Sequence, residues 1–243
     1  MLITITSLKG GVGKSTVALN LAYELSKKGK TLLIDTDPQN SIASFLCVDF
    51  RKGLSEVLFD RIDIEDVIIQ PFKDDENFYI IPNGLKGLKY VEEYEEFFLH
   101  DIFYPIMKQI KSLPFDFILF DTPPRISKQN KELITYSDYF MVIVNPDPAS
   151  YASFYIFLDF LNKNNLEKFF VIINKVEPNE ISEEFSLAIQ YKIRQKIIGI
   201  IPLDISVVKA EGECQPVTKL YTNSPFSLTI KDIVMRFLDL IKR

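Results

Sequence analysis

The chain has 243 residues, enough to bury one large α/β core without a disulfide or a metal to staple it. Apolar residues make up 47% and charged residues 25%, which excludes a disordered chain. A net charge of −5 excludes a broadly polybasic nucleic-acid binder and leaves room only for a local basic patch. Cys47 and Cys214 stand far apart without metal spacing. They read as thiols of a reducing cytosol, with a disulfide framework excluded. With His100 as the one histidine, neither a His-based zinc site nor a Ser-His-Asp triad fits. Met1 runs straight into Leu2-Ile3-Thr4-Ile5 without a basic n-region, and no apolar run reaches the ~20 residues that span a bilayer. A soluble, cytoplasmic protein is expected.

Short apolar runs alternate with amphipathic stretches of helix length. In chain order the pattern predicts strand Leu2–Ser7, helix Lys14–Lys28, strand Lys30–Asp35, helix Ser55–Asp60 and strand Phe78–Pro82. Helix Asp101–Leu113, strand Phe115–Asp121, helix Lys128–Tyr136, strand Tyr139–Val144 and helix Ser150–Asn164 follow. Strand Phe169–Asn174, helix Ile181–Arg194, strand Ile197–Ile201 and helix Pro225–Lys242 complete the series. The strands are rich in Ile, Val and Phe, and most lack polar alternation, as strands buried on both faces do. This is the pattern of a mostly parallel, twisted sheet flanked by helices on both faces, in one domain over residues 1–243. Loops after the strands are then the place for chemistry. Residues 60–100 are the least legible; their acidic runs, Asp74-Asp75-Glu76 and Glu92-Glu93-Tyr94-Glu95-Glu96, read as solvated faces.

Between the first strand and the first helix lies Lys9-Gly10-Gly11-Val12-Gly13-Lys14-Ser15-Thr16. Three glycines let the backbone wrap closely and turn successive N–H groups inward, an anion nest at a helix N-terminus. Lys14 would lie along the β- and γ-phosphates, and the Ser15 hydroxyl would take a position on Mg²⁺. The strict G-x-x-x-x-G-K-[ST] pattern fails at its first position, which is Leu8; a second lysine stands at position 9 instead. This form resembles the deviant Walker A motif of the ParA/MinD family of ATPases. The resemblance implies a P-loop NTPase architecture of the nitrogenase-iron-protein type. It also implies ATP and Mg²⁺ as ligands, and a homodimer in which Lys9 reaches the phosphates of nucleotide sandwiched between the subunits.

Other segments fit the same family. Asp35-Thr36-Asp37-Pro38-Gln39 looks like the first switch of ParA proteins, where Asp37 would orient the attacking water. Phe115–Asp121 is an apolar strand ending in an aspartate, a Walker B candidate whose Asp121 would hold Mg²⁺ through water. The stiff Thr122-Pro123-Pro124 that follows resembles the second switch. By resemblance Asn174 would hydrogen-bond adenine, and the corner at Pro202 would face the base. No N-K-x-D guanine motif exists, since Val176-Glu177 follows Asn174-Lys175, so ATP is expected over GTP.

Within the family the D-x-D-P-Q switch points to ParA, and so to partition of plasmids or chromosomes with nonspecific DNA binding and an activating partner of the ParB type. Leu203 and Ser206 stand where many ParA proteins carry arginines, so DNA contacts would fall on Lys192, Arg194 and Lys196, whose phosphate binding would weaken with salt. The P-x-D-x-x-V-x-x-A run from Pro202 looks closer to MinD, which acts at a membrane. The apolar spacing of residues 234, 237, 238 and 241 reads as a face docked on the sheet rather than on lipid. A MinD-like positioning ATPase and a carboxylate-activating biosynthetic enzyme of the same fold are the alternatives. Iron–sulfur relatives are disfavoured because no C-x-x-C is present.

Overall fold

Seven strands form a single all-parallel sheet in the computed structural model, which describes residues 1–125, 127–193 and 196–242. The first part of the chain runs β1 (Leu2–Thr6), α1 (Lys14–Ser26), β2 (Thr31–Asp35), α2 (Ser41–Phe45), α3 (Leu54–Asp60), a 3₁₀ turn Ile64–Val67, and β3 (Phe78–Ile81). It continues with α4 (Leu85–Lys89), α5 (Val91–Glu96), α6 (His100–Ser112), β4 (Phe117–Asp121), α7 (Lys128–Tyr136), β5 (Tyr139–Val144) and α8 (Pro148–Lys163). The last part holds β6 (Phe169–Val176), α9 (Glu180–Ile193), β7 (Ile197–Pro202), α10 (Ser206–Gly212), α11 (Val217–Leu220) and α12 (Pro225–Ile241).

Strand order is β3-β2-β4-β1-β5-β6-β7. The chain builds outward from β1 in one direction, returns to insert β4 between β2 and β1, and then builds outward the other way. Its switch point is therefore β1, and the crevice beyond the carboxyl end of β1 is where such sheets bind ligands. Side chains alternate across the sheet with period two. Ile3, Ile5, Leu33, Leu119 and Met141 pack with α1 and α12. Leu2, Leu32, Ile34, Ile118 and Phe120 pack beneath α3, α6 and α7, while Phe140, Val142 and Val171 lie under α8 and α9. Each fully buried Ile, Leu or Phe side chain contributes roughly 1.5–3 kcal/mol.

The expected architecture is present, and α12 docks as anticipated. Phe226, Ile230, Ile233 and Phe237 are buried against β7 and α1. Gly199 makes that approach possible, since a Cβ there would sit 2.3 Å from the Ile233 side chain. No helix among the described residues is long and apolar enough to cross a membrane.

Three expectations need correction. First, Cys47 and Cys214 are not free thiols: they form a disulfide, with Cα atoms 5.5 Å apart. A pair separated by 167 residues leaves no trace in spacing, and the support that unpaired cysteines lent to a reducing compartment falls away with it. Second, the acidic run 92–96 is not wholly a solvated face. Tyr94 is fully buried, accepting from Asn83 Nδ2 at 2.6 Å and donating to the Thr36 carbonyl. The outward-facing Glu95 pairs with Arg125. Third, β6 does not end at Asn174 but runs two residues further, through a local irregularity.

Candidate nucleotide site

The loop after β1 enters α1 through two left-handed residues, Gly11 (φ 77) and Gly13 (φ 85), a conformation that strains any residue with a Cβ. Gly13 is doubly constrained, because a Cβ would lie 2.5 Å from Asn174 Nδ2. Its carbonyl accepts the first α1 bond, from the Val17 N–H at 2.9 Å, so the free N–H groups of the first turn face the crevice.

A cavity of about 280 Å³ opens above this loop, lined by Lys9 to Thr16 together with Asp37, Gln39, Ile42, Phe45, Pro124 and Glu211. Lys14 is buried and donates to Asp121 Oδ1 at 2.6 Å and to Ser15 Oγ at 3.3 Å. The other oxygen of Asp121, Oδ2, is buried without a hydrogen-bond partner. Asp121 is paired in register with both Ile5 and Asp35, so two wholly buried carboxylates stand on adjacent strand ends. Burial, then the neighbouring Asp121, hold the Asp35 carboxyl well above the usual carboxylate range against the pull of Lys14. Burial likewise raises Asp121, with Lys14 opposing it.

Asp35 itself is committed to architecture. Its two oxygens accept the Asp37 N–H (3.0 Å) and the Ile42 N–H (3.1 Å), which bends the chain so that Asp37 faces the cavity. Thr36 ties the same turn to β4, donating its N–H and hydroxyl to the Asp121 carbonyl at 2.9 and 2.8 Å. Gln129 Nε2 and the Tyr94 hydroxyl both donate to the Thr36 carbonyl. The turn carrying Asp37 is thus held from three elements.

Lys14, Ser15 and Asp37 thus line one cavity with Gly10 to Gly13 and Thr16, and Asp121 stands buried behind them, reaching the group through Lys14. Lys9 sits at the rim, half exposed, in an ion pair with Asp147 Oδ1 at 2.9 Å. Asp147 also caps α8 through the Ser150 N–H and hydroxyl. Asn174 is not a wall of the cavity: its Nδ2 donates to the Val12 carbonyl at 2.7 Å. Pro202 ends β7, outside the cavity lining. Lys196 donates to the Glu167 carbonyl and Lys192 lies over the Tyr155 ring, remote from the nucleotide loop; Arg194 lies outside the described residues. Asn145, Asp147, Lys175 and Glu211 were not singled out from the sequence. Asp147 carried one usable signal, the D-P-x-S start of a helix; the others carried none.

The site fits a hydrated Mg²⁺. Among the described residues no group of three His, Cys, Asp or Glu side chains is arranged to hold a metal alone. The unpartnered Asp121 oxygen beside Ser15 is the sparse donor set of an ion that keeps its waters and shares phosphate oxygens.

A glycine loop at the switch point of a parallel sheet, with a lysine and a strand-end aspartate closing on it, defines a P-loop nucleotide-binding protein. Residues 1–172 match the family model AAA_31, an AAA domain. An uncharacterized ATP-binding protein of Methanocaldococcus jannaschii is 28% identical over 97% of this chain and 87% of its own length. The septum site-determining protein MinD of Escherichia coli is 26% identical over 98% and 90%. Two crystal structures from Borrelia burgdorferi are each 27% identical over 98% of both chains. One is described as a plasmid partition protein, with a TM-score of 0.77; the other, from strain B31, is described as a putative plasmid partition protein bound to AMPPNP, with a TM-score of 0.82. The chain belongs to the ParA/MinD family of P-loop ATPases.

Proposed function

We propose that the chain is a Mg²⁺-dependent ATPase working as a nucleotide switch, monomeric without ATP and a homodimer around it, that partitions DNA. The observation carrying this reading is one cavity lined by Lys14, Ser15 and Asp37 beneath a nest of backbone N–H groups, with the wholly buried Asp121 behind it in contact with Lys14. The N–H groups of the loop and the Lys14 ammonium bind the polyphosphate, Lys14 exchanging part of its contact with Asp121 for phosphate oxygen. Asp37 accepts a hydrogen bond from the attacking water and aligns it with the γ-phosphorus. Ser15 and Asp121 would hold Mg²⁺, which supplies charge neutralisation to the phosphates. Lys9, half exposed at the rim, exchanges Asp147 for phosphate when a second copy closes over the site.

The partition reading draws support from the Borrelia relative and from the docked α12, which leaves its apolar stripe inside the fold. The test uses the intact chain. Light scattering should show dimers with ATP and monomers with ADP, and Asp37→Ala should hold the ATP dimer while stopping turnover. Anisotropy of a random-sequence duplex should rise with Mg-ATP alone and fall with salt. Normal turnover in Asp37→Ala removes its role. Dimers without DNA binding move the reading to a MinD-like positioning ATPase.

A further inference from the structure

Strand β6 has a fault where it passes the nucleotide loop. Ile173 pairs with Ile200 and Val176 with Pro202, so Asn174 and Lys175 together face one residue of β7. That two-against-one count is a β-bulge. Lys175 adopts φ +57 there, a left-handed conformation that a bulge accommodates best with glycine. A lysine held so is strained, and such strain persists where the surrounding contacts require it.

The contact is to the loop. The bulge aims Lys175 so that Nζ donates to the Gly11 carbonyl at 2.7 Å, across 164 residues of sequence. The adjacent Asn174 Nδ2 donates to the Val12 carbonyl at 2.7 Å. With its amide nitrogen facing the loop, Asn145 donates to that same carbonyl at 3.1 Å. In a planar trans peptide the N–H points opposite to the C=O. Fixing the Gly11 carbonyl therefore fixes the Val12 N–H, and fixing the Val12 carbonyl fixes the Gly13 N–H.

We propose that Lys175 is a positioning residue of the nucleotide site: its ammonium, aimed by a strained bulge, holds the Gly11–Val12 peptide so that the Val12 N–H faces the polyphosphate. The inference rests on the nucleotide reading of the same loop. It assigns Lys175 to the phosphates and not to the base, and it explains why glycine does not stand at a position whose backbone favours it. A loop whose N–H groups are set beforehand spends none of its binding strength on ordering them.

Three variants test this. Lys175→Gly removes both the ammonium and the strain, so its thermal midpoint should match or exceed that of the parent while ATP affinity falls about tenfold. Lys175→Met keeps the strain and should lose similar affinity without the gain in midpoint. Lys175→Arg restores the donor and should recover part of the affinity. Titration calorimetry with ATP and with inorganic tripolyphosphate should show parallel losses for the first two variants. A parent chain that binds neither ligand overturns the nucleotide reading itself. A parent that binds, with Lys175→Gly and Lys175→Met binding equally well, overturns this proposal alone. A lowered midpoint in Lys175→Gly, or a loss seen with ATP and absent with tripolyphosphate, also overturns it, in favour of a structural or a base-contacting role.

Discussion

The nucleotide cavity has two walls built by different rules. The near wall is eight consecutive residues, Lys9 to Thr16, shaped by two left-handed glycines and charged by Lys14. The far wall takes Ile42 and Phe45 from α2 and Glu211 from α10. These two helices are joined just beyond their ends by the disulfide between Cys47 and Cys214. Neighbouring residues can make an anion site because their N–H groups already lie within reach of one phosphate. A wall assembled from distant pieces needs a tertiary clamp to stay in place. On the proposed reading, binding strength would belong to the first wall and the persistence of the pocket to the second.

The sharpest break in that division is Lys14→Met. Calorimetry should show nucleotide affinity lower by about a hundredfold or more. With its ammonium gone, Asp121 is left buried without its ion-pair partner, so denaturant unfolding should report a loss of about 3–5 kcal/mol. Cys47→Ser acts on the far wall. Opening a loop of this length should lower stability by about 2–5 kcal/mol in the same unfolding measurement. Nucleotide affinity should change much less than in Lys14→Met; an equal loss would mean that the clamp, not the loop, sets binding.

The pH dependence should come chiefly from behind the near wall, where the buried carboxyl of Asp35 is held raised beside Asp121 and Lys14. It keeps its proton in the folded chain above the ordinary value of 3.8, at which the unfolded chain releases it. Its contribution to stability is complete below that value and is lost as pH rises through the raised one. The nucleotide-free protein should therefore lose stability from about pH 4 upward, by at most about 1.4 kcal/mol per pH unit for this proton. Urea titrations at stepped pH check the sign, and a rise over that window would show that Lys14 keeps both carboxylates ionised. The smallest change is Asp147→Asn. Asparagine still caps α8, so stability should shift by less than about 1 kcal/mol. Lys9 loses its ion-pair partner, and light scattering should detect ATP-dependent dimers at lower protein concentration. Unaltered dimerisation would show that Asp147 does not restrain Lys9.

What could be read from the residues alone has a common character. The glycine loop, Lys14, the apolar strand ending in Asp121, and the alternation of strands and helices are each written in a contiguous stretch. Their physics is local: backbone dihedrals, periodicity and adjacent N–H groups. The docked stripe of α12 was readable for the same reason. Outside strand Phe78–Pro82, residues 60–100 were not, because short helices such as α4 and α5 carry too few turns to show a period. Tyr94 stood inside an acidic run, and nothing in that run marks which side chain turns inward.

The remaining features depend on which strand ends become neighbours. Insertion of β4 between β2 and β1 sets Asp121 against Asp35 and within reach of Lys14. The placing of β6 beyond β5 brings Asn174 and Lys175 beneath the loop. The layer beneath the sheet brings Cys47 to Cys214. No residue pattern announces a strand order, because order is chosen by the packing of whole faces rather than by any segment's own preference. Local sequence thus specified an anion-binding loop and its chemistry. The fold selected the partners that hold the loop open, park Lys9 and clamp the far wall, since those contacts exist only once distant faces have been buried together.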